Sequence, residues 1–218
     1  PACTNLQDVR DLAALGRAYP APIWVAMEYR YMPPVARLSE EVHHAQHTGP
    51  LKMLSIREHR FPFLVKVGDW NRFNRYTGGT LVEKCCHFFD LMRLIAGADP
   101  VRVLASGGQD VNHLDEIYDG RVPDILDNAY VIVEYEGGAR AMLDLCMFAE
   151  ATRDQEELVA VGDRGKTRRV AIALPQLRPD QIDDQPEHLV GELTQKVRDT
   201  LRAVAALQVL DHQAKHLC

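Results

Sequence analysis

The sequence predicts an α+β fold: a mostly antiparallel open sheet with helices on one face, preceded by one half of a parallel α/β unit. Three observations predict it. The chain opens helix–turn–strand, the order of a parallel unit. A strong amphipathic period runs from about Thr80 to Ile95. The run YVIVEYEGGARAMLDLCMF alternates on both sides of Gly137-Gly138, whose tolerance of positive φ suits a tight hairpin.

The elements follow in order. Thr4 or Asn5 can cap a helix to about Tyr19, with Leu6, Val9, Leu12 and Leu15 at helical spacing. Gly16, Pro20 and Pro22 break the chain, and residues 23–29 (IWVAMEY) read as a strand. A helix is expected from Pro34 to about His47, ended by Gly49 and Pro50, and then an alternating strand over 51–61. Residues 61–79 form an aromatic and basic loop before the helix of residues 80–95, which Gly97 ends. Strands are expected at 101–107, 128–135, 139–148 and 157–161. The hairpin carries apolar residues in both alternating sets: Val131, Val133, Tyr135, Met142 and Leu145 in one mixed group, Ile132, Ala141, Leu143 and Met147 in others. Residues 170–188 read as linker. Leu193, Val197, Leu201, Val204, Leu207 and Leu210 space out one last amphipathic helix.

Composition narrows the function classes. With 46% hydrophobic and 26% charged residues in 218, the chain is an ordinary globular one. A net charge of −6 weighs against nucleic acid as partner. No apolar run approaches the ~20 residues that span a bilayer, so no membrane role is expected. Five cysteines without a framework spacing read as reduced thiols in a cytoplasmic-type compartment.

Chemistry concentrates in GGTLVEKCCHFFDLMRLI. On a continuous helix Glu83 and His87 share a face, and Asp90 lies three beyond. A carboxylate can fix an imidazole's tautomer and basicity as a general base requires, or the two form a plain ion pair. The preceding loop offers Trp70, Asn71, Arg72 and Arg75, a set that suits a polyhydroxylated ligand or an ordinary polar surface. His43, His44 and His47, and the EKCCH run, lack a second ligand pair at a recognised metal spacing, and no metal is expected.

The same helix motif, with Gly78-Gly79, Glu83, Cys85, His87 and Asp90 in register, resembles the C-terminal, substrate-binding half of an oxidoreductase of the glucose-fructose oxidoreductase / inositol dehydrogenase / MocA family. The opening PACTNLQDVRDLAALGRA resembles the segment after that family's Glu-Lys-Pro motif, with Pro1 as its proline. VAMEYRYMPP resembles its interdomain strand, placing Arg30 and Tyr31 at the active-site rim. The resemblance covers roughly residues 1–165. It implies residues 1–29 as a remnant of the Rossmann domain, 30–165 as a substrate-binding and oligomerisation domain, and 166–218 as a divergent tail. It implies His87 as the proton-relay residue assisted by Glu83. Arg30, Tyr31, Trp70, Asn71, Arg72, Arg75 and Asp90 are implied on the substrate side. It implies NAD or NADP as the cofactor of the full-length enzyme and a sugar, polyol or related secondary alcohol as substrate; the expected partner is a second copy through the sheet. The alternative is a non-catalytic binding or oligomerisation module.

Gly107-Gly108 is not a G-x-G-x-x-G and opens no helix. The 218-residue chain by itself is therefore expected to bind NAD(H) or NADP(H) negligibly, because nothing offsets desolvation of the pyrophosphate. Calorimetric titration checks this, and an affinity in the micromolar range would contradict it.

Overall fold

The computed structural model describes residues 2–171, which build a six-stranded sheet with helices over one face. Helix α1 (Leu6–Ala18) starts at Asn5, whose Oδ1 accepts the Asp8 N–H at 2.9 Å. That bond satisfies one orphan donor of the first turn. The strand expected over 23–29 is absent. The segment instead runs without regular structure into a 3-10 turn, Glu28–Tyr31. Ile23, Trp24 and Val25 are exposed, and among the described residues no strand pairs with them. A lone strand leaves its N–H and C=O groups unpaired, so strand propensity alone does not make one.

Helix α2 (Pro33–His44) has proline in its first turn and stops short of the expected His47, at Ala45 with φ 51°. Strand β1 (Leu51–His59) follows. The helix expected over 80–95 is divided. After the single turn α3 (Asn74–Thr77) come α4 (Thr80–Glu83) and α5 (Cys86–Ala96). At the joint the Cys85 N–H reaches back to the Thr80 carbonyl at 3.2 Å, five residues away, and Lys84 and Cys85 both turn inward. Gly97, at φ 61°, ends α5 as its position predicts.

The remaining strands are β2 (Pro100–Gly108), β3 (Asn128–Tyr135), β4 (Arg140–Cys146), β5 (Glu156–Gly162) and β6 (Lys166–Ala171). Their order is β2-β3-β4-β1-β5-β6, antiparallel throughout except for the parallel pair β1–β4. Gly137 and Gly138 turn the β3–β4 hairpin at φ 79° and 88°. Its register pairs Val131 with Leu143, Val133 with Ala141 and Ile132 with Met142. Met142 therefore lies on the open face with Ile132, not with Val131 and Val133, because the turn sets Glu134 opposite Arg140. The covered face joins Leu54, Ile56, Val131, Val133, Leu143 and Leu158 to Val35, Leu38 and Val42 of α2 and to Phe88, Leu91, Met92 and Ile95 of α5. The sheet continues past Gly165, since β6 pairs with β5 from Lys166 on. The expected C-terminal helix falls outside the described residues. No helix among them is long and apolar enough to cross a membrane.

One feature of the covered face is charged. The inward series of β1, Leu54 and Ile56, continues as Glu58, which is 1% exposed. Its cross-strand partner on β5 is Glu156. Lys84, from the α4–α5 joint, approaches Glu58 Oε1 at 3.0 Å and Glu156 Oε1 at 3.8 Å. Arg60 Nη1 lies 3.3 Å from Glu58 Oε1. Burial works against the Lys84 ammonium, but Glu58, Tyr29 and Glu156 outweigh it and raise its pKa. Burial, with Glu58 alongside, pushes the Glu156 carboxyl up to about 7, against the pull of Lys84. A carboxyl raised on folding holds its proton longer in the native state. Its contribution to stability is therefore complete below the ordinary carboxylate pKa and is lost as pH rises towards about 7. Glu156→Gln should remove that loss. The difference in melting temperature between parent and variant should grow in the variant's favour from pH 4.5 to 7. Thermal unfolding across that range measures it, and a constant difference would contradict it.

Candidate active site

The two glycines ahead of α4 are required by geometry. Gly78 and Gly79 have φ 74° and 87°. A Cβ at Gly78 would stand 2.8 Å from the Thr4 carbonyl oxygen, and one at Gly79 would stand 2.5 Å from Asn74 Oδ1. The chain's N-terminal segment thus lies directly on the start of α4.

Residues 28–30 of the 3-10 turn then meet the N-terminal part of α5 one after another. Glu28 Oε2 lies 3.7 Å from His87 Nδ1. The Tyr29 ring stacks on the imidazole, with centroids 4.6 Å apart and planes 20° apart, and meets Phe88 edge-on at 5.8 Å. Arg30 grips Asp90 with two donors, Nε to Oδ2 at 2.5 Å and Nη2 to Oδ1. A forked pair of this kind fixes both planes. Beside it opens a cleft of about 450 Å³, lined by Cys3, Trp24, Val25, Met27, Tyr31 and the Arg30–Asp90 pair, among others.

His87 keeps 18% of its side chain exposed, while Nδ1 is buried with no hydrogen-bond partner among the described residues. Burial lowers its pKa below the ordinary imidazole value. Glu28 and Asp90 pull it upward, and Lys84 pushes it further down. The lowered pKa favours the neutral imidazole, the form that can take a proton.

His87, Arg30, Tyr31 and Asp90, singled out from sequence, come together here. The carboxylate beside His87 is Glu28 rather than Glu83. The break at Lys84–Cys85 interrupts the helix that would have set Glu83 one turn below the ring. The loop residues sit elsewhere. Asn71 is buried and donates Nδ2 to the Leu64 carbonyl at 2.9 Å. Arg72, 2% exposed, donates Nε to Glu116 Oε2 at 2.9 Å. Arg75 lies over the Phe73 and Tyr76 rings. Trp70 is 40% exposed, and none of the four lines the cleft. Burial raises the Cys85 thiol's pKa, which leaves it a neutral core group rather than a thiolate ligand.

Sequence reasoning missed Glu28 and Tyr29, and with them Lys84, Glu58 and Glu156. Two signals were available. Lys84 occupies an inward position in the stripe Thr80, Phe88, Leu91, Ile95, and Glu58 an inward position after Leu54 and Ile56. A charge in an apolar stripe needs a partner.

The fold has known counterparts. A probable dehydrogenase from Thermotoga maritima superimposes with a TM-score of 0.63 at 22% identity, covering 78% of this chain and 48% of that one. A putative myo-inositol dehydrogenase from Sinorhizobium meliloti gives 0.62 at 19%, covering 78% and 48%. The WlbA dehydrogenase from Chromobacterium violaceum, solved with NADH and UDP-GlcNAcA, gives 0.64 at 16%, covering 77% and 46%. The chain spans about half the length of these solved proteins. A search of curated proteins by sequence found no match. The model of the oxidoreductase family's C-terminal alpha/beta domain matches residues 46–218, including the stretch beyond 165 that the motifs do not reach. By that match, which takes in α3–α5 and the whole sheet, the chain belongs to the glucose-fructose oxidoreductase / inositol dehydrogenase / MocA family of oxidoreductases, as its C-terminal domain.

Proposed function

We propose that this chain is the substrate-side half of an NAD(P)-dependent dehydrogenase, in which His87 exchanges the proton of a secondary alcohol on a sugar, polyol or related compound. The observation that carries the reading is a part-exposed imidazole stacked on Tyr29, three residues before the Asp90 that pairs with Arg30 in the wall of the cleft; His87 itself does not line the cleft. The described residues form no phosphate cradle. The N-terminal turn of α1 is closed by the Asn5 side chain, and a Cβ at Gly78, Gly79, Gly107 or Gly108 would meet other protein atoms. The reading assigns dinucleotide binding to a separate half, whose nicotinamide is the hydride acceptor when bound.

The residues of this chain account for the proton and the substrate's orientation. As the alcohol carbon gives up hydride, its hydroxyl proton passes to His87, and the product is a carbonyl. Glu28 stabilises the imidazolium so formed. Arg30 is neutralised by Asp90, so the pair offers hydrogen-bonding edges without net charge, which suits a neutral polyhydroxylated ligand. Trp24 and Tyr31 give the cleft aromatic faces for the ligand's C–H surface.

The reading also includes self-association through the open sheet face. Leu104, Ile132 and Met142 are neighbours there by register and are 47%, 40% and 36% exposed, beside Tyr130 at 61%. A contiguous apolar patch of this kind marks an interface.

Two measurements test these statements. In the chain joined to a dinucleotide-binding half, His87→Ala should lower kcat by roughly 10²–10⁴-fold, the usual contribution of a positioned acid–base group. The melting temperature should fall only modestly, since the lost stack is worth about 0.5–1.5 kcal/mol. Near-parental turnover would remove His87 from the reaction. Light scattering should show a dimer or larger species that Ile132→Glu converts to monomer, and a parent that is already monomeric at high concentration would refute the interface.

A further inference from the structure

We propose that Tyr29 and Lys84 are positioning residues for His87: the buried Lys84 ammonium tethers the Tyr29 hydroxyl, and the tethered ring holds the imidazole in place. The inference rests on the reading of His87 as the proton-exchanging group, and it assigns a task to the buried charges that the reaction itself leaves idle.

The contacts form a continuous series. Lys84 Nζ donates to the Tyr29 hydroxyl at 2.9 Å, and that hydroxyl donates to Glu156 Oε1 at 3.3 Å. The ammonium also lies 5.2 Å from the Tyr29 ring centroid and 5.3 Å from that of Phe88. Glu58 anchors the ammonium from beneath at 3.0 Å. On its other side the Tyr29 ring covers the imidazole. Lys84 and His87 are one turn apart on the same stretch of chain, while Tyr29 comes from 55 residues away. The lysine therefore reaches round Phe88 to fasten the ring that covers its own neighbour.

Stability alone does not explain this cluster. A buried ion pair seldom exceeds the value of well-packed apolar side chains of the same volume. Among the described residues Glu58 Oε2 is buried with no hydrogen bond, an unrecovered cost. Methionine at 84 and glutamine at 58 would continue the surrounding packing. What they would not supply is a fixed donor for a tyrosine hydroxyl. Without that tether the ring loses its shortest hydrogen bond and is left to its stack on His87, its edge contact with Phe88, the longer bond to Glu156 and the Arg30–Asp90 pair of the same turn.

The charged side chains of the described residues around the imidazole bear on the outcome, as does the chain's terminal amine, which lowers its pKa. Glu28 faces it from the turn, with Lys84 and Asp90 on its own helix segment. Glu58 of β1 and Glu156 of β5 lie behind Lys84, Arg30 is spent on Asp90, and Arg60 on Glu58. Loosening the Tyr29 ring hydrates the imidazole, and removing the Lys84 charge favours its protonation. Both changes act in the same direction.

The test uses the 218-residue chain with isotope-labelled histidine, the His87 ring being assigned by its loss in His87→Gln. In the parent, its carbon-bound protons should be shifted upfield by the Tyr29 ring current, and its titration midpoint should lie below the ~6.5 of a free imidazole. Tyr29→Leu, and the double variant Lys84→Met with Glu58→Gln, should each remove most of the upfield shift. Each should also raise the midpoint by about half a unit or more. Tyr29→Phe keeps the ring and loses only the tether, so it should give a smaller change of the same sign. It carries the test alone if the other variants do not fold. Folded variants in which His87 keeps its parental shift and midpoint would overturn the proposal and leave His87's part in turnover untouched. Conversely, a His87→Ala enzyme with normal turnover would refute the proton exchange and leave this clamp standing.

Discussion

The parallel pairing of β1 with β4 is the constraint from which the rest follows. Two parallel neighbours cannot be joined by a tight turn, so the chain must leave one end of β1 and return to the other. That return takes in α3, α4, α5, β2 and β3 before β4 begins. The crossing carries α5 over the covered face, where Phe88, Leu91, Met92 and Ile95 seal it to β1, β3 and β4. His87 sits on the first turn of that helix, so its position relative to the sheet is set by core packing rather than by a loop. The inward stripe of the crossing also delivers Lys84 to Glu58 on the strand it left behind.

Local chemistry made much of the fold readable. Five of the six strands were named from the sequence, β1, β3 and β4 by alternation, and the hairpin glycines named its turn, because strand faces and positive φ are properties of a few adjacent residues. The failures are non-local. Residues 23–27 have strand composition but no strand beside them among those described. The break at Lys84–Cys85 follows from two inward neighbours, one of which must reach a carboxylate on β1. Strand β6, basic and mixed in pattern, is held by its pairing with β5 and by Arg169 and Thr167 meeting Glu41 of α2. Nothing in its own sequence announces that.

The candidate site divides in the same way. His87 and Asp90 were legible because they share one helical turn. Their partners were only partly so: Arg30 and Tyr31 came from a motif, while Glu28 and Tyr29, adjacent in sequence, make the nearer contacts with His87. Asn71 and Arg72 show the opposite error. Polar residues beside a candidate site look like ligand contacts until their donors are traced, and these go to Leu64 and Glu116.

The close approach of Gly78 to the Thr4 carbonyl has a consequence for the shape of the cleft. Cys3, immediately before Thr4, forms part of its wall. The distance from Thr4 to the start of α4 is set by the lack of a side chain at one position. Any larger residue at 78 would act as a spacer, prising the N-terminal segment off the helix and widening the cavity from its floor. The width of the opening is thus written at a residue that never borders it.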